Sequence, residues 1–415
     1  MPTPLMGVFD ISVVKPNCPV ICRLDINSPI KKREDKILIL DRTRLESHKE
    51  TITTLIENGN KIILLAHQGR PGDDDFTSLK FHAEMLGEIL GHEVKFVDDI
   101  IGKKACEAVE KLKHGEVLLL ENVRFLEFEQ QEKSPEEHAK SPLVQTLGKY
   151  ADFFVLDGFA VAHRSHASVV GFAPVLPSAM GLLMEKEIKS LSMARENARE
   201  YILILGGAKL PDALKYIKKF LKLERTSKIL LTGLIALAFH MAKGYKIPSN
   251  TEKLILDRLG GESITEIKKL ANNEKIVLPI DYGVEINGDR INIPVDQLST
   301  MNAPPKDIGP ETIKYYLDIV GSGRVILMKG PAGVIEDEKF VWGSENLLRE
   351  LFKMNNYVIL LGGHLVSVLD RIGDSTKHRR YFISTGGGAS VEFFIEGTLP
   401  GLEALKLSYK IFSQR

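Results

Sequence analysis

One feature constrains this chain more than any other: an alternation repeated almost from end to end. Short β-rich runs, apolar at successive positions without a polar alternate, take turns with amphipathic segments of helical spacing. The first five runs are "PVICRLDI", "KIILLAH", "EVKFV", "EVLLLEN" and "DFFVLD". Six more follow: "YILILGG", "KILLTG", "KIVLPID", "RVILMKG", "YVILLGG" and "YFISTGG". Strands of this kind are covered on both faces, as parallel strands joined by crossover helices are. Segments such as "RLESHKETITTLIENG" and "LKFHAEMLGEILGH" supply those helices, each with a glycine stop. The expected architecture is α/β, with two doubly wound parallel-sheet domains of similar size.

A chain of 415 residues exceeds one average core, which agrees with two domains. The stretch "GLLMEKEIKSLSMARENARE" (181–200) separates the two sets of strands without any low-complexity linker. It reads as a stiff helical hinge, with a first domain over 1–180 and a second beginning at 201. The 55 Lys plus Arg balance 55 Asp plus Glu, so no global field draws the chain to nucleic acid or an anionic membrane. Anion chemistry must then come from local clusters. The three cysteines, Cys18, Cys22 and Cys106, form no disulfide framework and no zinc spacing. The amino terminus lacks the pattern of a signal peptide, and the longest apolar stretch, 229–242, is too short and too interrupted to span a bilayer. A reducing, cytoplasmic setting is expected.

In open parallel sheets a ligand sits outside the carboxyl ends of the strands. The two halves differ there. The first ends its strands with charged and imidazole side chains: "CRLDIN", "AHQGRP", "ENVRF" and "DGFAVAHR". Arg23, Arg70, Arg124 and Arg164 each follow a strand, and Arg44 opens the first helix. Guanidinium is a permanently charged planar fork that matches phosphate or carboxylate, so several from separate strands make a site for a compact, multiply charged anion. Asp25 and Asn27 add an acceptor and an amide suited to hydroxyls, and "HQGRP" brings His67, Gln68, Gly69 and Arg70 on one turn. The loop "GFAVAHRSHAS" offers no carboxylate or cysteine in register with its histidines, which argues against a metal. It reads as an anion clamp on Arg164 with His163 as a hydrogen-bond donor; His166 serves either the clamp or the loop itself.

The second half ends its strands with glycine: "LGGAK", "KGPAG", "LGGH" and "STGGGAS". It has neither GxxxxGK[ST] nor GxGxxG, so a P-loop or dinucleotide fold is disfavoured. Gly206, Gly207 and Lys209 follow one strand, and Gly386, Gly387 and Gly388 lead into a helix whose N–H groups could face an oxyanion. Glu336 in "GPAGVIE" could accept hydrogen bonds from ribose hydroxyls. The run "GDDDF" reads as a solvated loop.

These motifs, in this order, resemble phosphoglycerate kinase. "RLDINSP", "HQGRPG", "LLENVRF", "DGFAVAHRSHAS", "LGGAK", "GPAGVIE", "STGGGAS" and "LPGLEAL" carry the resemblance over essentially the whole chain, and "VLPIDYGVE" and "GGH" look like the archaeal branch. It implies two hinged α/β domains, the second over 201–398, with a last helix (399–415) returning to the first. It implies reversible phosphoryl transfer in glycolysis and gluconeogenesis between ATP and the carboxylate of 3-phosphoglycerate, giving 1,3-bisphosphoglycerate and ADP, by a monomer. Arg23, Asp25, Asn27, Arg44, His67, Gln68, Gly69, Arg70, Arg124, His163 and Arg164 would bind phosphoglycerate. Gly206, Gly207, Lys209, Glu336, Gly362, Gly363, His364, Leu365 and Gly386 would bind nucleotide. Arg44, Lys209, Gly387 and Gly388 would stabilise the phosphoryl group in flight. Mg²⁺ would arrive on the nucleotide phosphates, with no protein ligand assigned.

The departures from the family pattern lie in the nucleotide half. Ala213 stands where a second lysine is common, with Lys215 two further on; His364 replaces an aspartate, Leu361 a glycine, Leu365 a small hydroxyl residue, and Leu237 and Lys329 asparagines. They argue for an altered nucleotide pocket. An alternative they also motivate is a catalytically silent phosphoglycerate-binding protein on the same scaffold; a third reading is an acyl-phosphate kinase for another small acid.

Overall fold

A computed structural model describes residues 5–33, 36–300, 303–373 and 380–414. The chain divides into two compact units, residues 1–192 with 388–415, and residues 193–387.

The first unit is built on a seven-stranded sheet, all parallel. Its strands run in the order Phe9–Asp10, Ser178–Met180, Phe153–Leu156, Pro19–Arg23, Lys61–Leu65, Val117–Leu120, Val94–Val97. Pro19–Arg23 lies between Lys61–Leu65, the next strand of the sheet along the chain, and Phe153–Leu156, reached only after the chain has filled the other edge. That reversal makes a topological switch point, where open sheets leave a crevice at the carboxyl ends. The central strands are buried over their apolar runs, with only Pro19 and Lys61, at the starts of their strands, partly exposed. The two short strands at the Phe9 edge have too few apolar residues to stand out in the sequence.

The second unit repeats the logic with six parallel strands: Ile276–Val277, Thr226–Leu231, Tyr201–Leu205, Val325–Lys329, Tyr357–Leu361, Tyr381–Ser384. Its switch point falls between Tyr201–Leu205 and Val325–Lys329. The run "KIVLPID" is not one strand. Pro279 has no N–H to give a ladder, so pairing in the parallel sheet stops at Val277. A separate antiparallel sheet begins at Asp281 and comprises Asp281–Ile286, Asp289–Pro294 and Pro305–Ile308. Asn287 and Gly288, both at positive φ, form its tight turn, a hairpin signal present in the sequence as "NG".

Along the chain, the helix Leu182–Asn197 spans the boundary of the two units at 192/193, within residues 181–200. The helix Gly388–Glu396 clusters with the first unit rather than the second, and Phe393 sets its ring against Phe159 at 6.3 Å. The last helix, Pro400–Phe412, packs there too: Gly401 N–H donates to Ala162 O (2.8 Å) and Ser178 N–H to Ser408 Oγ (2.9 Å).

Candidate active site

At the first switch point the backbone delivers Arg23, Asp25, His67 and Gly158 from three adjacent strand ends. Arg23 is 2% exposed, one of the largest fully buried side chains in the protein. Its Nε donates to Ser168 Oγ (2.8 Å), NH1 donates to Leu24 O, and NH2 lies 3.2 Å from His67 Nδ1. Ser168 O–H in turn donates to Glu129 Oε1 (2.5 Å), and its N–H to Glu129 Oε2 (2.9 Å). This chain fixes the imidazole: Nδ1 accepts from the guanidinium, so the ring hydrogen sits on Nε2. Burial and the arginines around it hold His67 well below its ordinary pKa, so the ring is a neutral donor rather than a further cation.

Asp25, also buried, pairs through Oδ2 with Arg44 NH1, while Oδ1 lies 3.9 Å from His67 Nδ1. Arg44 itself keeps a third of its side chain exposed. Asn27 Oδ1 accepts Gly69 N–H at 2.9 Å, and Arg124 NH1 donates to Gly69 O, so these three tie the turn after His67 to its neighbours. Arg164 donates through Nε to His163 Nε2 at 3.3 Å; the imidazole expected to donate to an anion accepts at this atom. Arg70 is exposed.

Charge is concentrated here. Arg124 is lowered to about 10, by burial first and then by Arg164, Arg23 and Arg70; burial and Arg70 also lower Arg164. Cations that depress one another in a partly buried pocket are relieved by a bound anion. Like Asp25, Glu129 faces the cluster, and it is 1% exposed; burial raises it to about 7, opposed by Arg23 and Ser168.

One position differs from the sequence expectation, and at another the structure favours one of two readings left open. Gln68, grouped with the ligand-binding residues, is fully buried with its amide committed. Its Oε1 accepts from Ser28 N–H (2.9 Å) and lies 3.0 Å from His82 Nε2, while Nε2 donates to Ser28 O (3.0 Å). It staples two loops instead of facing an open pocket. His166 is buried, 3.3 Å from Glu132 Oε1, and lowered to about 3 by burial and the neighbouring arginines; it belongs to the loop's own structure.

At the second switch point the strands end in backbone. Gly206 N–H donates to Lys329 O (2.8 Å) and Gly207 N–H to Pro331 O (3.0 Å), joining two strand ends directly. A Cβ on Gly206 would sit 2.2 Å from Pro331 O and 2.3 Å from Thr232 Oγ1; one on Gly330, at φ +74°, would sit 2.6 Å from Gly206 O. Lys209, exposed, stands at the N-terminus of the helix Leu210–Leu221. Gly362 and Gly363 follow the strand Tyr357–Leu361, and exposed His364 opens the next helix. Glu336 is exposed on the loop after Val325–Lys329. Leu365 corrects the expectation for its position: it is 0% exposed and packs in the apolar core with Val368, Leu360 and Leu348. Leu237 and Ala213 are buried as well, so the hydrophobic departures fill the unit's interior. Gly386 and Gly387 lie in the second unit and Gly388 in the first, so this glycine run is a crossing between units. Among the described residues no three His, Cys, Asp or Glu side chains are grouped to hold a metal ion.

The family model described as "Phosphoglycerate kinase" matches residues 12–398. The chain belongs to the phosphoglycerate kinase family. Phosphoglycerate kinases of Saccharolobus solfataricus and Sulfurisphaera tokodaii are 41% and 40% identical, over 98% of this chain and 97% and 96% of their own lengths. The crystal structure of phosphoglycerate kinase from Pyrococcus horikoshii matches with a TM-score of 0.87 at 35% identity, covering 97% of this chain and all of that one. That from Coxiella burnetii gives 0.72 at 28% identity over 96% of this chain and 98% of its own.

Reasoning from sequence missed Glu129, Ser168, His48 and Asp157. Asp157 ends an apolar strand run at the switch point and was findable there. Glu129 sits in the acidic stretch "LEFEQQEK", where nothing sets it apart from solvated neighbours.

Buried imidazoles predict a pH dependence of stability. His82 and His240 are each lowered to about 4 by burial. The unfolded chain takes up protons below its ordinary value near 6.5 while the folded rings stay neutral, so stability is present above that value and is lost as pH falls towards 4. Each ring accounts for about 2 kcal/mol at pH 5. Urea unfolding at pH 7 and pH 5 should show the loss, and His82→Gln or His240→Gln should flatten it by that amount; parallel profiles would refute the assignment.

Proposed function

We propose that this protein is a phosphoglycerate kinase enzyme, transferring a phosphoryl group reversibly between ATP and the carboxylate of 3-phosphoglycerate. The observation that carries this reading is the cationic cluster of Arg23, Arg124, Arg164 and neutral His67 at the first switch point, in a chain of this family.

The acceptor carboxylate is already a nucleophile, so no general base is needed; the protein's work is positioning and charge stabilisation. Arg124, Arg164 and Arg70 hold the phosphate of phosphoglycerate. Asp25 and Asn27 meet its hydroxyl, and His67 Nε2–H donates to it. Arg23, buried behind His67, acts by orienting that ring. Arg44 neutralises charge on the transferring group from the acceptor side, and Lys209 from the nucleotide side. Gly206, Gly207, Gly362, Gly363 and Gly386, without side chains, let the nucleotide approach the backbone closely, and Glu336 meets its ribose. Gly387 and Gly388 add helix N–H donors. Mg²⁺ would arrive on the nucleotide phosphates and neutralise charge there, and no step here depends on a protein ligand for it. Hinge bending at the connecting helix, which would exclude water from the reaction, is part of the same proposal, as are a monomeric state, an archaeal-type lineage and a cytoplasmic, glycolytic and gluconeogenic role. Among the described residues no helix is long and apolar enough to cross a membrane.

The test is a coupled assay for 1,3-bisphosphoglycerate formed from 3-phosphoglycerate and ATP. Turnover with this pair is expected; tight phosphoglycerate binding without turnover would point instead to a silent binding protein.

A further inference from the structure

The helix expected to run from Arg44 is broken at His48, between Thr43–Ser47 and Lys49–Glu57. His48 keeps a right-handed helical backbone (φ −89°, ψ −5°) at this junction, and its imidazole is 1% exposed. His48 Nδ1 lies 2.6 Å from Asp157 Oδ2, and Asp157 is 0% exposed. On its other side, His48 Nε2 lies 3.0 Å from Asp25 N and 3.1 Å from Asp25 O. An ionised carboxylate only accepts, so the ring hydrogen sits on Nδ1, and Nε2 accepts Asp25 N–H. The second oxygen of Asp157 is also engaged. Oδ1 accepts Leu183 N–H at 3.0 Å, with Met184 N at 3.5 Å, so it caps the first turn of the connecting helix Leu182–Asn197. The segment after His48 helps, since Thr51 Oγ1 accepts Leu182 N–H at 3.0 Å. There is no slack in this contact: a Cβ on Gly181 would stand 2.1 Å from Asp157 Oδ1.

We propose that His48 and Asp157 are positioning residues that tie Asp25 to the start of the connecting helix, so that phosphoglycerate at Asp25 and order at Leu183 and Met184 strengthen each other. Asp25 faces Arg44 and His67 with its side chain and His48 with its backbone. A ligand that draws on the side chain therefore loads the backbone bond, and through it the helix cap. The coupling is reciprocal: disturbing the cap weakens the ligand as much as losing the ligand loosens the cap. A buried polar pair adds little stability over a well-packed apolar one, so its effect here is geometric register. The inference rests on the phosphoglycerate reading given above.

Asp157→Asn is the test in the full chain. The asparagine carbonyl can still cap Leu183, but its amide donates to His48 Nδ1. The ring hydrogen moves to Nε2, where it meets Asp25 O in place of Asp25 N–H. Nitrogen-15 spectra of histidine-labelled protein should show the two His48 nitrogens exchanging character. The KM for phosphoglycerate should rise about tenfold, within the usual range of coupling, while the KM for ATP moves less than about twofold. In the wild type, phosphoglycerate should slow amide exchange at Leu183 and Met184, and the variant should lose that response. His48→Gln, which leaves the Asp157 cap in place, should give the same KM split and stands in if the first variant does not fold. Equal changes in both KM values, or helix amides indifferent to phosphoglycerate in an active wild type, overturn the proposal alone. A wild type with neither turnover nor phosphoglycerate binding sinks the functional reading and this one with it.

Discussion

Arg44→Ala is expected to lower kcat/KM for phosphoglycerate phosphorylation by ~10²–10³ while leaving the fold in place. Arg44 sits in a short helix over the pocket, paired with Asp25 and still one-third exposed, so its fork is anchored at one end and open at the other. A charge fixed by a buried carboxylate needs little reorganisation when negative charge develops beside it, which is the condition for a large electrostatic effect. Arg44→Lys keeps the charge but not the planar geometry, and should recover only part of the loss. Steady-state kinetics with circular dichroism on the same samples checks both points. An Arg44→Ala enzyme within about threefold of wild type would remove Arg44 from its assigned role.

The second large effect is structural. Gly206→Ala should cost about 3 kcal/mol or more, or displace the strand ends it joins. The added carbon meets Pro331 O at 2.2 Å and Thr232 Oγ1 at 2.3 Å. Pro331 O already accepts Gly207 N–H, so it cannot move aside without breaking that bond. Gly261→Ala is the control. It follows Gly260, whose non-helical backbone (φ 69°, ψ 164°) splits the segment Ser249–Leu270, and nothing lies within 4 Å of its Cβ position, so the change should leave stability within about 0.5 kcal/mol. Urea unfolding of the two variants gives the comparison, and equal midpoints would refute the close-approach argument.

Much of this architecture was legible because buried parallel strands write themselves as unbroken apolar runs. The central strands of both sheets follow those runs, and three of the arginines placed after them, Arg23, Arg124 and Arg164, lie near enough to His67 to depress its pKa. Legibility failed where tertiary contact, not local pattern, sets the role. Nothing in "SHKE" says that the helix is interrupted at His48 or that its imidazole is buried. Gln68 looks like a pocket residue by its place in "HQGRP", yet its amide is spent on Ser28 and His82. Leu365 holds the right position along the chain for a ligand contact, but its side chain faces the core. The antiparallel sheet from Asp281 was hidden behind Pro279, which cut an apparent single strand in two.

The first unit closes only with residues 388–415, whereas the second is one continuous stretch. During synthesis the strands of the first unit emerge early, but the seat of the helix Pro400–Phe412 stays uncovered until the whole second unit has followed them. The second unit, a single stretch, has all of its own elements before that helix appears. The part that carries the anion pocket is therefore begun first and completed second, and it is exposed to misassembly for longer than its neighbour.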